Sequence, residues 1–382
     1  MSSLPAGTSI AGLAADPHPF HHQLRATEPV AWIDALEAWL VTSHELCVEV
    51  MLDPDTFTVD DPRFSTQRVI GPSMLSLDGA EHRRHRDPFA GPFRAAKVKE
   101  LSEFTDRTAE NLIDGVAQRG AGDLRADVAG PLAVAVMAQI LDLRDVSVSD
   151  VLTWYEEIVA AVHAVTAGED VPDSGLEAFE ELKEAVVRGR SDSALLHPVE
   201  ETGTLSVDEI VSNVAVLLFG GIVTSESATA IAYRYLLDDP RLWDRLVDEP
   251  AAIRPFVEET FRLEPSASAV DRYATRDVRL GGAEIAKGDP VRVSLGAANR
   301  DPAVFEEPDR LSVDRSNLGQ SVTFARGPHA CLGIHLARLE AVAAIKAVLA
   351  HPDLQPVERL PIEGLLFRVP DAVPVRSARP SP

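Results

Sequence analysis

One long apolar helix near the middle of the chain limits how the rest can fold. Ser206, followed three residues later by Glu209, forms a capping-box signature, and Asp238-Asp239-Pro240 stops the pattern because proline cannot continue a helix. At about 1.5 Å per residue the segment 206–237 runs roughly 48 Å, enough to cross a whole molecule of this size. Near its centre stand Gly220 and Gly221, in Leu217-Leu218-Phe219-Gly220-Gly221-Ile222-Val223-Thr224-Ser225. Each glycine costs a helix about 1 kcal/mol relative to alanine, so something other than helix formation retains them. Close packing against a neighbouring helix is the plain account.

Segments 99–119, 127–141, 147–165, 175–189, 250–263 and 332–350 repeat the 3.6-residue apolar rhythm. Short strands are expected at 29–33 with 38–41, and across 278–293, where Gly281-Gly282 marks a turn. The expectation is a mainly α fold with a long central helix and a small β-sheet region. Stretches 167–175 and 191–203 are short and lie between helical patterns, so they read as loops of one domain covering residues 1–382. The polar tail after Val375 reads as disordered. A formal charge of −24 argues against a nucleic-acid partner, whose phosphates need a basic footprint. Residues 1–19 lack a basic region followed by an apolar run, so no signal peptide or membrane anchor is expected and the location should be cytoplasmic.

The two cysteines differ in setting. Cys47, in His44-Glu45-Leu46-Cys47-Val48-Glu49-Val50-Met51, reads as a small buried hydrophobe on a short helix. Cys331 stands in the glycine-punctuated turn Phe324-Ala325-Arg326-Gly327-Pro328-His329-Ala330-Cys331-Leu332-Gly333. The following residues Leu332, Leu336, Leu339, Val342, Ala343, Ile345 and Leu349 have helical spacing, which places the thiol at a first turn. There the helix dipole favours a thiolate, the form that binds a metal.

The string F-x-x-G-x-H-x-C-x-G resembles the haem-ligand signature of the cytochrome P450 family, with Phe324, Gly327, His329, Cys331 and Gly333 in register. Further motifs resemble the family's in the same order. Glu259 and Arg262, in Glu259-Thr260-Phe261-Arg262, resemble its E-x-x-R pair, and their spacing puts both on one helix face. Arg310, in Glu307-Pro308-Asp309-Arg310, matches the arginine that folds back onto that pair, while His82 and Arg86 resemble the H-x-x-x-R that binds haem propionates. The resemblance implies a cytochrome P450-like fold around heme b, with Cys331 as the axial thiolate on iron and electron density that favours O–O cleavage. Phe324 would pack beside the sulfur, Gly327 and Gly333 would let backbone approach the ring, and His82, Arg86, Arg272 and His329 would meet the propionates. Glu259, Arg262 and Arg310 would be structural, since a buried carboxylate is tolerated only when well hydrogen-bonded. His21, His22 and His85 lack such support and read as surface residues.

Thr224 resembles the threonine with which family members hydrogen-bond dioxygen and help to deliver protons, and Gly220 and Gly221 then read as room for that oxygen and for a local kink. Many members carry an acid before this threonine, whereas this chain has Val223. Glu226 lies about 200° round the helix from Thr224 and is no obvious replacement. Protons are therefore expected through water, through a polar group of the substrate, or less efficiently than usual. The implied activity is a haem-thiolate monooxygenase, with hydroxylation, epoxidation, desaturation and oxidative coupling all open.

The chain carries no flavin, ferredoxin or dinucleotide segment, so ferredoxin and ferredoxin reductase are the implied electron donors. Arg83, Arg84, Arg94, Lys97, Arg326 and Arg338 form either a basic surface for an acidic ferredoxin or a solvated face. By family position the pocket draws on 69–77, 154–166, 215–224, 266–270 and Leu365-Leu366-Phe367, mostly apolar or small residues, which suit a small organic substrate. That substrate arrives free or tethered to a carrier protein. The missing acid leaves room for a peroxide-driven peroxygenase, and a haem-binding sensor or carrier is the alternative outside enzymes.

Overall fold

The computed structural model describes residues 9–142, 148–166, 169–189, 193 and 195–378. The expected loops at 167–175 and 191–203 fall partly outside this set, as do the ends of the N-terminal segment and of the polar tail. Two compact units make up the chain. One comprises Met1–Thr58, Ala109–Ala129 and Thr224–Pro382, and the other Val59–Thr108 and Gly130–Val223.

Helices dominate both units and lie where the apolar rhythm predicts them: Ser102–Arg119, Gly130–Leu141, Val148–Thr166, Asp173–Gly189, Val207–Asp238, Ile253–Leu263 and Ile334–Leu349. Ends differ by a few residues for local reasons. The helix expected from residue 127 begins at Gly130, because Arg125–Ala129 winds as a π-helical turn. The helix expected from residue 175 begins at Asp173, inside the predicted loop.

The capping box of the long helix is formed as expected. Ser206 N–H donates to Glu209 Oε2 at 2.8 Å, and Glu209 N–H donates to Ser206 Oγ at 3.3 Å. By length and composition Val207–Asp238 could cross a membrane, yet 72% of its most apolar window is buried in the protein itself. It is the core helix of a folded protein.

The sheet lies in the first unit. Its five strands run in the order Val30–Ile33, Ala38–Val41, Pro290–Ser294, Ala269–Ala274, Phe57–Thr58. Ala38–Val41 pairs parallel with Pro290–Ser294, with Trp39 opposite Val291, and the other neighbours pair antiparallel. Val278–Leu280 and Ala283–Ile285 form a separate hairpin across Gly281-Gly282. Behind the five-stranded sheet Val41, Val50, Met51, Val291, Val293 and Val322 share one core cluster. Cys47 belongs to it, wholly buried, and burial pushes its thiol far above the usual range.

Candidate functional site

Cys331 is exposed and outside any disulfide. The turn that presents it is built by backbone hydrogen bonds: Ala325 N–H to Val322 O at 2.8 Å, Ala330 N–H to Gly327 O at 3.1 Å, and Cys331 N–H to Phe324 O at 2.9 Å. Closing this turn requires two left-handed residues, Ala325 at φ 55° and Gly327 at φ 75°. At Gly327 a Cβ would also meet the Met51 carbonyl oxygen at 2.5 Å, so only glycine fits. At Ala325 no such relief exists, and the loop holds a strained residue.

The structure moves Cys331 off the helix. Its helix is Ile334–Leu349, with Gly333 as N-cap, and the first carbonyl in the ladder is Gly333 O, which accepts from Leu336 and Ala337. Cys331 is instead held by its bond to Phe324, and Leu332-Gly333 turns the chain into the helix. Phe324 meets the Phe261 ring edge-on at 5.7 Å between centroids and lies under the Arg338 guanidinium at 5.3 Å. Arg338 is anchored by Glu258 at 3.0 Å. These side chains wall a concavity of about 360 Å³ beside Cys331.

Glu259 and Arg262 pair with each other, and the third member differs from the one expected. Glu259 and Arg262 are completely buried, joined by Arg262 Nε to Glu259 Oε2 at 2.7 Å and Arg262 Nη2 to Glu259 Oε1 at 2.8 Å. The second guanidinium on Glu259 is that of Arg315, not Arg310: Arg315 Nε donates to Glu259 Oε1 at 3.0 Å, and Ser312 N–H donates to the same oxygen at 3.0 Å. Arg310 is 71% exposed and turns to Glu307, contributing only its carbonyl, which accepts from Arg262 and Arg315. The reason lies in the turns of 301–317, which carry the side chain of Arg310 outward and that of Arg315 inward against Phe305, 5.9 Å from the ring centroid. Arg272, on Ala269–Ala274, is buried, and its Nη1 donates to Asp271 O at 2.7 Å. His329, partly buried, ends the short 3-10 turn Gly327–His329.

On the long helix the two glycines separate in role. A Cβ at Gly221 would collide with Met137, so this glycine serves close helix packing. At Gly220 a Cβ would meet nothing within 4 Å, and the residue faces open space. Only Gly220 keeps the reading of room beside the helix. Val223 is buried and apolar, and Glu226 is engaged by Arg125 Nε at 2.8 Å, which removes it as a substitute acid for Thr224.

In the second unit His82 and Arg86 lie on Gly79–Arg86, His82 buried and Arg86 partly so. His85, expected at the surface, is buried as well: its Nδ1 faces Asn213 Nδ2 at 3.0 Å, and its Nε2 faces Glu209 Oε1 at 3.4 Å. Burial first, and then Arg84, lowers its pKa. Partners more than a hundred residues away in the chain made that burial invisible in the sequence. In the first unit His21 is partly buried. Burial and its cationic neighbours lower its pKa to about 3. His22 is half-buried and pairs with Asp309 at 2.8 Å.

Arg84 donates to both Glu81 and Glu209, and these bonds hold Glu209 down at a pKa of about 2. Arg84, Lys97 and Arg338, three of the six cations of the expected basic surface, are each paired to an acid. Of the pocket segments, Trp154, Ile158, Ala215 and Phe219 line one small apolar pocket. Met74 N–H donates to Asn213 Oδ1 at 2.8 Å, drawing 69–77 onto the long helix. Within the first unit Ser268 Oγ donates to Leu365 O at 2.7 Å, and Ala267 bridges Phe367, so 266–270 and 365–367 lie together.

The donor set fits an iron that arrives in a macrocycle. Among the described residues no group of three or more histidine, cysteine, aspartate or glutamate side chains could hold a metal ion. A single presented thiol suits a metal that brings its equatorial ligands with it. The family profile of Cytochrome P450 matches residues 252–365, the stretch containing Glu259, Arg262 and Cys331. Nocardicin C N-oxygenase of Nocardia uniformis subsp. tsuyamanensis is 34% identical, covering 98% of each chain. Mycinamicin IV hydroxylase/epoxidase of Micromonospora griseorubida is 32% identical over 92% of this chain and 94% of its own. Among solved structures, P450BioI in complex with hexadec-9Z-enoic acid ligated acyl carrier protein superposes with a TM-score of 0.87 at 25% identity, covering 97% of this chain and 100% of that one. With near full-length likeness added to a presented Cys331 and a buried Glu259–Arg262 pair, the chain belongs to the cytochrome P450 family and is an oxidoreductase of its monooxygenase type.

Proposed function

We propose that this enzyme uses dioxygen and electrons from a ferredoxin and ferredoxin reductase to oxidise a small, mostly apolar organic molecule in secondary metabolism, in the cytoplasm. The observation that carries the reading is the exposed Cys331 thiol, held by its own backbone in a turn that only Gly327 can close. Heme b would be held through Cys331, with His82, Arg86, Arg272 and His329 as propionate partners. When bound through the Cys331 thiolate, a haem would supply the chemistry of O–O cleavage.

The chain's own residues then have separable tasks. Phe324, wedged between Phe261 and Arg338, would pack beside the sulfur and so tune its electron donation. Gly220 leaves space on the helix for dioxygen, and the Thr224 hydroxyl holds and passes a proton. The apolar side chains of Trp154, Ile158, Ala215 and Phe219 favour a substrate that buries hydrocarbon. The carrier-bound ligand of the P450BioI complex supports delivery of the substrate on a carrier protein as a variant of this reading.

A Soret titration of purified ferric holoenzyme tests the proposal. Addition of natural-product scaffolds and fatty acids, free and as acyl carrier protein conjugates, should move the band from low to high spin for one class. Product should then require NADPH, ferredoxin and reductase. Turnover with peroxide alone would favour the peroxygenase reading, to which Val223 and the engaged Glu226 lend weight. A thiolate-ligated protein that consumes no oxygen with any ligand would replace the enzyme reading by a haem-binding carrier.

A further inference from the structure

Asn213, on Val207–Asp238, is wholly buried, and its hydrogen bonds leave it one orientation. The Met74 N–H can only donate, so the atom facing it at 2.8 Å is the carboxamide oxygen, Oδ1. The amide nitrogen then gives its two hydrogens to Glu209 O at 2.7 Å and to His85 Nδ1 at 3.0 Å. His85 Nδ1 is thereby an acceptor, and the neutral ring carries its proton on Nε2, which faces Glu209 Oε1 at 3.4 Å. Arg84 Nη2 approaches the same Nε2 at 3.1 Å without competing for it, because its two hydrogens go to Glu81 Oε2 at 2.8 Å and Glu209 Oε1 at 2.6 Å. The donors and acceptors of this cluster match only while His85 is neutral. An imidazolium would turn an Nδ1–H towards the Asn213 NH2 group, donor against donor. Turning the carboxamide over would answer His85 but would strip the Met74 N–H of its acceptor. Burial and Arg84 oppose the charge on His85, Glu209 and Glu81 favour it, and the balance lowers its pKa.

The segment around Met74 hangs on this amide. It closes into a turn of its own, Ser76 N–H donating to Ser73 O at 3.1 Å and Ser73 N–H to Ser76 Oγ at 3.2 Å. Gly71, left-handed at φ 79°, brings the chain so near the long helix that a Cβ there would meet Ser212 Oγ at 3.3 Å. The helix just before it, Ser65–Ile70, packs on Val148–Thr166, which supplies Trp154 and Ile158 to the apolar pocket. Ala215 and Phe219 of the same pocket follow Asn213 on the long helix. The segment thus joins the two helices that wall the pocket, and Asn213 ties it to one of them.

We propose that Asn213, oriented by His85, is a positioning residue for substrate specificity: it sets the turn 71–76 beside the apolar pocket and so decides how firmly a hydrocarbon group is held there. The inference rests on the reading that this pocket takes the substrate. Because the arrangement needs a neutral His85, it is complete at neutral pH and is lost as pH falls below 6.5 and through the lowered folded value.

Two measurements on the holoenzyme test it. Hydrogen–deuterium exchange reads the Met74 amide, and Soret titrations compare 4-phenylimidazole, which carries an apolar ring, with imidazole, which does not. In wild type the Met74 amide should be protected at neutral pH and should lose protection, corrected for intrinsic exchange, below pH 6.5. Asn213→Ala should lose that protection at neutral pH and bind 4-phenylimidazole about tenfold more weakly, with its affinity for imidazole unchanged. His85→Gln, whose side-chain oxygen accepts at any pH, should keep wild-type protection and affinity and carry both into acid, which replacing a merely structural histidine would not do. If Asn213→Ala yields no folded protein, the acid profile of His85→Gln decides alone. A wild-type preference for 4-phenylimidazole in Asn213→Ala, or a Met74 amide that still opens in acid in His85→Gln, overturns the proposal. A wild type that binds 4-phenylimidazole no more tightly than imidazole overturns the apolar-pocket reading, and the positioning role with it.

Discussion

Glu259 and Glu340 lie on helices that pack together, Ile253–Leu263 and Ile334–Leu349, and neither meets solvent, yet the protein treats them oppositely. Glu259 receives hydrogen bonds from Arg262, Arg315 and the Ser312 amide. Glu340 receives none. A carboxylate satisfied from three sides fixes the path of the backbone around it, since its partners are useful in only one arrangement. A carboxyl left unsatisfied fixes nothing and raises the energy of the fold. The contrast separates a compensated carboxyl from an uncompensated one in residues of one type and equal burial.

Breaking the compensated site should have the largest effect. Arg262→Ala leaves Glu259 buried with one of its three partners gone and removes the donor that ties in Asn299 O and Pro308 O, each at 2.7 Å. A loss of about 3–5 kcal/mol is expected. Little soluble haem-loaded protein should be recovered, and normal haem content would refute the structural role.

Acid sharpens the contrast through a third glutamate. Glu264 is buried among His18 at 2.7 Å, Arg300 at 2.8 Å and Arg368 at 3.0 Å, and although burial pulls its pKa upward, these partners win and hold it at about 2. Its folded value lies below its ordinary 4.5, so its stabilisation is present above pH 4.5 and is lost as pH falls towards 2. That shift corresponds to about 3 kcal/mol. Glu340 has the opposite sign. Its folded value lies above the ordinary one, so it costs nothing extra in acid, and stability declines as pH rises above 4.5 and the unfolded chain ionises. Thermal midpoints of the holoenzyme across pH should show Glu264→Gln flattening the acid limb and Glu340→Gln flattening the decline above pH 4.5.

The residues that could be read from sequence are those whose partners are near in the chain or whose pattern is long. The capping box at Ser206 and Glu209, the apolar rhythm of Val207–Asp238 and the Glu259–Arg262 spacing are all local, and each forms as expected. His85 could not be read, because what buries it includes Asn213, brought to it only by the tertiary fold. Gly220 and Gly221 are identical in sequence terms, and only the arrival of Met137 on one side distinguishes them. Glu340 left a faint signal, standing four residues after Leu336 and four before Ala344, on the apolar stripe of its helix. Spacing alone cannot tell a buried acid from one whose stem snorkels to solvent.

Arg310 and Arg315 give the finest test, because they are five residues apart, each follows an aspartate, and the turns between them decide which is scaffold. Arg315 is 7% exposed on the side-chain scale and binds Glu259, while Arg310 is mostly in water and pairs with Glu307, itself 65% exposed. Arg315→Ala should therefore cost about 2–3 kcal/mol, since Glu259 keeps Arg262 but loses its second cation. Arg310→Ala keeps the carbonyl that Arg262 and Arg315 use, and a solvated pair is worth little, so the change should stay within about 0.5 kcal/mol. Chemical unfolding of the two variants side by side checks the assignment. An Arg310→Ala loss equal to that of Arg315→Ala would place both guanidinium groups on Glu259 and erase the distinction between them.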